Sequence, residues 1–342
     1  MSNATMNEPG EKTNPGTTVV PGHDDHYGAL LHTLSEGSVH VHFDPYDDID
    51  WDAPHMRLDP HDERWVLDPD LDPLGATAWY QQQPLRVQVE LGRWRTLNAV
   101  KVGGAFESVL IRGLMQYAVS LPNEAPEFRY CLHEMTEECN HIQMFQELVN
   151  RSGTNVEGMR PHFRLLSPLV AFLGGYTPAV FMIGILAGEE PIDHYQKALV
   201  RSGRPLPDAL LRTMEIHMAE EARHISFAAA FLRQHQPHMS RLQNNICAFA
   251  FPLLMRWLGS EIMTSPRSIK RRFAIPNNVW REAFWSAPNS KRIMASYFSD
   301  MRALAIELGW LNARTIPLWR RLGIYGKTSR YRGEPDRGAR LI

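Results

Sequence analysis

Cysteine is scarce in this sequence: its 342 residues include only Cys131, Cys139 and Cys247. The three cysteines form no CxxC pair and are odd in number, which argues against a disulfide framework and against a thiolate zinc site. We therefore expect a reducing, cytoplasmic setting.

An excess of charge of one sign is also lacking, because 36 Lys and Arg nearly balance 38 Asp and Glu. A formal net charge of −2 gives no global field that would attract nucleic acid or an anionic membrane, so no nucleic-acid partner is expected. The N-terminus, MSNATMNEPGEKTNPGTTVVPG, has no basic region leading into an apolar run, and it predicts no signal peptide.

Charge is absent altogether from residues 165–188, LLSPLVAFLGGYTPAVFMIGILAG. That length could span a membrane, but Pro168, Gly174, Gly175 and Pro178 interrupt the run, and the chain has no second span of similar quality. The sequence favours a buried helix pair over a membrane segment.

The alternation typical of strands is nearly absent, whereas helical periodicity begins at residue 76. It predicts an all-α fold centred on a four-helix bundle, with additional helices around it. The main helices are predicted at 98–120, from Pro126 to Gly153, through the uncharged run to about Arg201, and at 207–234, with further helices at 240–264 and 288–310. We expect an irregular or disordered arm over 1–74, the helical domain over 75–312, and a basic, solvated tail over 313–342.

The sequence HMAEEARH, residues 217–224, is the first candidate for chemistry. On a helix His217, Glu221 and His224 lie at roughly 0°, 40° and 340°, so all three can point at one object. Glu220 lies about 100° from Glu221 and is predicted to be a bystander. Taken alone, such a cluster is more typical of a solvated or salt-bridged face.

A second Glu-x-x-His pair, Glu138 and His141, lies in the preceding helix sequence HEMTEECNHIQMF. Two such pairs on two long helices make half of the arrangement by which four-helix bundles hold two metal ions. The other half is one Glu from each of two further helices, and this requirement can be checked in the sequence.

Glu107 meets the requirement for one of those helices. It is the only carboxylate of the predicted helix 98–120, and it shares its face with Leu110 and Leu114. A lone acid on an apolar stripe is costly unless it is paired or bound to metal.

The fourth carboxylate is expected to be Glu189 or Glu190, the first acids after the uncharged run. Glu189 shares its side with Asp193 and Gln196, which the pattern predicts to be solvated. Glu190 continues the apolar face of the run, and we therefore choose Glu190.

Four carboxylates and two imidazoles are hard and borderline ligands, which suit iron or manganese better than zinc. The sequence therefore predicts a dinuclear site, with His217 as a surplus ligand one turn before Glu221. A third imidazole could complete the coordination of one metal ion.

With this set of Glu and His residues, the chain resembles the ferritin-like nonhaem diiron oxygenases, and most closely the p-aminobenzoate N-oxygenase family. The resemblance rests on FESVLIRGLMQYA, EECNHIQMFQELVNRSG, GEEPIDHYQ and HMAEEARHISFA, and it spans about residues 75–265. It is specific because members of that family carry a third histidine ligand. The resemblance implies a ferritin-like bundle and a ligand set of Glu107, Glu138, His141, Glu190, His217, Glu221 and His224.

The implied cofactor is a pair of iron ions, or mixed manganese and iron if the site is misloaded, with O₂ as cosubstrate. The implied reaction takes an amine to the hydroxylamine and onward to nitroso or nitro products. Nothing in the chain resembles a GxGxxG nucleotide-binding turn, so the electrons are expected from an external donor. A small-molecule amine substrate and a homodimer complete these expectations.

Two other functions remain open at this stage. The uncharged run could instead line the cavity of a diiron hydroxylase or desaturase-like oxidase of an apolar substrate. A ferritin-like iron-binding protein without a substrate is the third possibility, although 342 residues with long flanks favour an enzyme.

Overall fold

The computed structural model describes residues 25–284 and 286–334, which form helices joined by loops and contain no strand. The all-α prediction is confirmed. In chain order the helices are α1 (Asp25–His40), α2 (Ala78–Gln81), α3 (Leu85–Ala118), α4 (Pro126–Arg151), α5 (Pro161–Tyr176), α6 (Pro178–Arg201), α7 (Asp208–His235), α8 (Arg241–Met263), α9 (Arg267–Arg272), α10 (Asn277–Ala283), α11 (Pro288–Ser296), α12 (Ser299–Glu307) and α13 (Ile316–Arg321).

Helices α3, α4, α6 and α7 form the central bundle. α3 packs along α4 and α6 packs along α7, while contacts between α4 and α7 and between α3 and α6 close the bundle. α5 lies on α3 and α6, and α8 covers α6. Pro126 starts α4, as predicted, because it lacks the N–H that a first helical turn leaves unbonded, and Gly153 follows the end of that helix with φ of 62°.

Two apolar cores lie at different heights of this bundle. Along α4, Tyr130 and Met135 belong to one core, whereas Phe145 and Leu148 belong to the other. Along α7, residues 210–216 contribute to the second core and residues 225–232 to the first. The Glu and His motifs of both helices therefore lie in a polar layer between two apolar ones.

The N-terminal arm is more ordered than the sequence suggested. Residues 25–40 form helix α1, which packs on α4 and α7 and buries Tyr27 and Leu31. Residues 41–74 are irregular, as predicted, and Trp51 and Trp65 are buried. Their many aspartates close turns: the Asp72 carboxylate, for example, accepts hydrogen bonds from two backbone N–H groups. Residues 1–24 lie outside the described part of the chain.

The described part of the predicted solvated tail, residues 313–334, has many exposed residues but is anchored to the protein by a few buried side chains. Trp319 on α13 and Ile324 after it are completely buried. The sequence did not predict this burial, because Lys and Arg residues lie on either side of the large apolar residues and dominate the composition of the segment. Residues 335–342 lie outside the described residues.

The uncharged run forms the helix pair that the sequence favoured, α5 followed by α6. One stretch, Arg241–Arg272, is long and apolar enough to cross a membrane by length and composition, and 56% of its apolar window is buried inside the protein. Such burial is also found in the core helices of proteins that cross no membrane.

Close packing between α3 and the α5–α6 pair depends on glycine. A Cβ atom at Gly113 would overlap the ring of Phe181, and one at Gly174 would lie 2.5 Å from the backbone oxygen of Gly113. A side chain at either position would force these helices apart.

We predict that Gly113→Ala lowers the free energy of unfolding by about 1–3 kcal/mol, because the added methyl group overpacks this crossing. Gly104→Ala, in the same helix, is the matched control: its Cβ would lie 3.8 Å from the Phe145 ring, an ordinary contact. That variant should be unchanged or gain up to about 1 kcal/mol of helix stability. Urea unfolding followed by circular dichroism measures both values, and equal effects would contradict the close crossing.

Candidate metal centre

The predicted Glu and His residues of three bundle helices converge on one buried cluster. Their side chains are at most 8% exposed. Two sets of potential ligand atoms can be distinguished, and they share His141. Within each set, all the atoms lie within 4.8 Å of one another. One set is Glu138, His141, Glu221 and His224, and the other is Glu107, His141 and His217.

Glu138 of α4 is the centre of the first set. Its Oε2 atom lies 3.2 Å from Nδ1 of His141, and its Oε1 atom lies 2.8 Å from Nδ1 of His224. Glu221 of α7 lies on the other side of His224, with Oε2 3.4 Å from the same Nδ1 atom. The Nδ1 atoms of both imidazoles therefore point into the cluster.

His217 also points into the cluster, through Nε2. That atom lies 3.4 Å from Oε1 of Glu107 and 3.6 Å from Oε2 of Glu221. Nδ1 of His217 donates a hydrogen bond to Oε1 of Gln196, at 2.9 Å. Because an amide oxygen only accepts, this bond leaves the Nε2 lone pair free for a ligand role. Gln196 is buried, so the prediction that it is solvated is wrong.

The outer nitrogens of the other two imidazoles are held by carboxylates. Nε2 of His141 donates to Glu220 at 2.8 Å, and Nε2 of His224 donates to Glu137 at 2.7 Å. Such bonds fix the ring orientation and direct the lone pair of Nδ1 inward, as in many metal sites. The prediction that Glu220 is a bystander is therefore wrong.

Arg223 joins these two outer carboxylates. It donates to Glu137 at 2.8 Å and lies 3.6 Å from Glu220. Glu220 also accepts a hydrogen bond from the backbone N–H of Phe43 in the N-terminal arm, and Arg223 donates to the Val41 carbonyl. The arm thus supports the groups that orient the imidazoles.

The two acids of α6 face different sides of the helix, and their positions favour Glu189 over the predicted Glu190 as the ligand. Glu189 borders the cavity next to Glu107, His217 and Glu221, and neither of its carboxylate oxygens has a hydrogen-bond partner. Glu190 faces away from the cluster. It lies beside a groove formed by residues of α7, α12 and the C-terminal segment.

The charges that act on Glu189 and Glu190 also come from different neighbours. Burial and the negative charges of Glu221 and Glu134 raise the pKa of Glu189 well above its usual range. Burial and the negative charge of Asp300 raise the pKa of Glu190 to about 8. The side of α6 that bears Glu189 was assigned to solvent because of Asp193 and Gln196, and both of these polar side chains are buried.

Two other buried acids were missed by the sequence reasoning. Glu137 is described above, and Glu134 lies one turn before Glu138 on α4 with neither oxygen hydrogen-bonded. Burial raises the pKa of Glu134 well above its usual range, and the charges of Glu138 and Glu221 raise it further. The spacing of four residues to Glu138 was the available signal for Glu134.

The buried carboxylate and imidazole groups are suited to bind metal ions. Glu138 and Glu221 already face Nδ1 of His224, at 2.8 and 3.4 Å. Oε2 of Glu107 and both carboxylate oxygens of Glu189, in contrast, are buried without a hydrogen-bond partner. Leaving such atoms unpaired is expensive, and two divalent cations would balance four ionised carboxylates. The mixture of carboxylate oxygen and imidazole nitrogen suits iron or manganese.

Without metal, these groups share protons. Burial alone would lower the pKa of His141, but hydrogen bonds with Glu138 and Glu220 raise it well above its usual range. Burial would likewise lower the pKa of His224, yet the Glu138 charge raises it. Burial and the Glu138 charge raise the pKa of Glu107 to about 7. Burial opposes ionisation of Glu138, but the charges of His224 and His141 hold its pKa far below the usual range.

An apolar cavity of about 130 Å³ lies against one side of the cluster. Glu107, Glu189, His217 and Glu221 form its polar end. The remaining wall comes mainly from apolar residues of α3, α5, α6 and α8, among them Phe106, Leu110, Phe163, Phe181, Leu254 and Trp257. The arrangement places the polar residues of the cluster at one end of a space that a small, largely apolar molecule could occupy.

Comparisons with known proteins agree with this geometry. A family model described as "P-aminobenzoate N-oxygenase AurF" matches residues 24–309. The chain is also 49% identical over 314 residues to "Uncharacterized protein Rv0885" of Mycobacterium tuberculosis strain H37Rv, covering 92% of each chain. "Uncharacterized protein Mb0909" of Mycobacterium bovis matches with the same identity and coverage.

We predict that Glu189→Gln lowers the bound iron from about two ions per chain to one or fewer, because a metal loses a charged ligand. The neighbouring variant Glu190→Gln is the matched control and should keep about two ions, since Glu190 faces away from the cluster. Metal analysis after anaerobic loading and desalting measures the occupancy. Loss of iron in Glu190→Gln with full loading of Glu189→Gln would restore the choice made from the sequence.

Metal binding should release protons, and affinity should rise as pH rises through about 7. The raised pKa values of His141, His224, Glu107 and Glu189 mean that the metal-free cluster holds protons at neutral pH, and a cation must displace them. Titration with Co(II) in buffers of different ionisation enthalpy counts the released protons, and we expect about two or more per chain. An affinity that stays constant from pH 6 to pH 8 would contradict this electrostatic account.

Proposed function

This chain belongs to the p-aminobenzoate N-oxygenase AurF family, and we propose that it is a diiron oxygenase that oxidises the nitrogen of an arylamine. The observation that carries the proposal is a buried cluster of carboxylates and imidazoles whose members Glu107, Glu189, His217 and Glu221 face an apolar cavity, with the Glu189 oxygens lacking any hydrogen-bond partner. The family supports the class of reaction, and the cavity supports a small organic substrate.

The proposed iron ligands are Glu107, Glu138, His141, Glu189, His217, Glu221 and His224. Two iron ions bound there would supply the activation of O₂ and the transfer of one oxygen atom. The protein residues supply orientation: Glu220, Glu137 and Gln196 each fix one imidazole through its outer nitrogen.

The first proposed step converts R–NH₂, O₂, two electrons and two protons into R–NHOH and water. One oxygen atom forms the new N–O bond, and the other is reduced to water. The electrons come from an external donor protein, because no nucleotide-binding motif was found in the sequence. Oxidation of the hydroxylamine by a second O₂ would follow at the same cluster. R–NHOH and O₂ give R–NO₂ and one water, or, with two further electrons and two protons, R–NO and two waters.

The apolar wall of the cavity has two roles in this proposal. It excludes bulk water from the polar end, which strengthens the electrostatic interactions there and protects reactive species. It also holds the substrate ring, so that the amine nitrogen approaches the side bearing Glu189 and His217. The shape of the wall, rather than hydrogen bonds, would orient the ring.

Hydroxylation or desaturation of a C–H substrate is the second candidate, and the apolar cavity is the observation that favours it. A site dedicated to iron storage is less favoured, because storage needs no organic cavity beside the cluster. The three described cysteines are free, in keeping with the proposed cytoplasmic location. The homodimer stays a prediction.

We predict that the iron-loaded protein, supplied with ¹⁸O₂, a reductant and p-toluidine, forms the hydroxylamine with one ¹⁸O atom, because the N–O oxygen derives from O₂. The matched control is Glu138→Gln, which removes the carboxylate that contacts both His141 and His224 and should lower turnover by about 100-fold or more. Mass spectrometry of the product measures the incorporation. Oxygenation of the methyl group in place of the nitrogen would favour the second candidate.

A further inference from the structure

The cavity beside the cluster differs from the site expected for a carboxylate-bearing substrate. Its ionisable groups are Glu107, Glu189, His217 and Glu221, all at one end, and Trp257, which carries an indole N–H, is also part of its wall. No lysine, arginine, amide or hydroxyl side chain of the described residues lines it. A molecule with its amine at the cluster would therefore have the rest of its surface in contact with hydrocarbon and aromatic rings.

A neighbouring cavity contains a cation, but that cation is already paired. Gly103 and Ile192 border both cavities, and Arg95 lines the second one. Arg95 donates to the Asp72 carboxylate at 2.6 Å, to Ser265 at 2.6 Å and to the Met263 carbonyl at 3.0 Å. These bonds engage all three guanidinium nitrogens, and the Asp72 carboxylate balances the charge of Arg95, so this cation is not available as the partner of a substrate anion in the first cavity.

The charge around the polar end is also unfavourable for an anion. Three carboxylates, those of Glu107, Glu189 and Glu221, lie at this end of the cavity. Two divalent ions would balance the four ligand carboxylates and leave no positive excess for another anion. An ionised carboxylate in this cavity would lose its hydration, and no cationic side chain of the described residues lines the cavity to pair with it.

The volume of the cavity indicates a ligand of about one aromatic ring. It measures about 130 Å³. An apolar protein cavity of about 150 Å³ accommodates benzene. Phe106, Phe163 and Trp257 border the space and offer ring edges and faces to an aromatic substrate.

We propose that the substrate is an uncharged, single-ring arylamine without an ionised ring substituent, and that p-aminobenzoate itself is excluded. This inference rests on the proposed function for the identity of the reacting atom. The amine of an aniline is neutral at physiological pH, so it enters the cavity without the desolvation cost of an alkylammonium group. A carboxylate at the opposite end of the ring would meet apolar side chains.

The test is a binding comparison under anaerobic conditions, in which no turnover occurs. Isothermal titration of the Fe(II)-loaded protein compares p-aminobenzoate with its methyl ester, which differs in charge and by one methyl group. We expect the ester to bind at least about tenfold more tightly. Equal affinity, or tighter binding of the acid, would overturn the proposal.

Two variants at neighbouring positions of α8 test whether the weaker binding of p-aminobenzoate arises in this cavity. Leu254 lines the cavity, whereas Leu253 is 48% exposed on the outer face of the same helix. Leu254→Lys should improve p-aminobenzoate binding by about tenfold, because the ammonium group supplies the missing partner. Leu253→Lys, with the same added charge, should leave the affinity ratio of ester to acid unchanged. The same gain in both variants would overturn the assignment of the binding site to this cavity.

A competition experiment with toluene distinguishes a failure of this inference from a failure of the proposed function. Toluene can fill the cavity, but it has no nitrogen to oxidise. Displacement of the methyl ester by toluene supports an apolar cavity even if no N-oxygenation is found. Failure of toluene to compete with the ester would overturn the inference. That result would leave a positive ¹⁸O experiment standing.

Discussion

The burial of many ionisable groups between two apolar cores is the constraint on which this structure depends. Glu107, Glu138, Glu221 and three histidines are almost completely buried at the centre of the bundle. Their desolvation is offset only if each charge has a partner, whether a proton, a neighbouring side chain or a metal ion. The outer carboxylates and Arg223 provide some of these partners, and the atoms left without one define the place for metal.

The segments around the bundle complete this layer. In the N-terminal arm, the backbone N–H of Phe43 donates a hydrogen bond to Glu220. In the C-terminal segment, Arg332 lies near Glu190 and donates a hydrogen bond to Ser226 of α7. α5 and α8 close the apolar cavity from the other side. The N-terminal arm therefore supports the cluster, and the family match, which begins at residue 24, includes this arm.

Periodicity and spacing predicted the features that depend on one helix at a time. The four bundle helices, both Glu-x-x-His pairs, Glu107 and the inward direction of His217 could all be predicted, because a helix fixes which residues share a face. Features that depend on packing between helices could not be predicted. Asp193 and Gln196 have polar side chains but are buried, so the face of Glu189 was mistaken for a solvated one. Glu220 faces away from its neighbour Glu221, yet His141 of another helix approaches it.

The central claim is that two iron ions occupy the cluster with Glu189 as the ligand from α6. A crystal structure of the iron-loaded protein, with anomalous scattering data collected at the iron edge, tests it most directly. The account predicts two anomalous peaks about 3.5–4 Å apart, with bonds to Nδ1 of His141, Nδ1 of His224, Nε2 of His217 and the Glu189 carboxylate. A single peak, or a bond from Glu190 in place of Glu189, would contradict it.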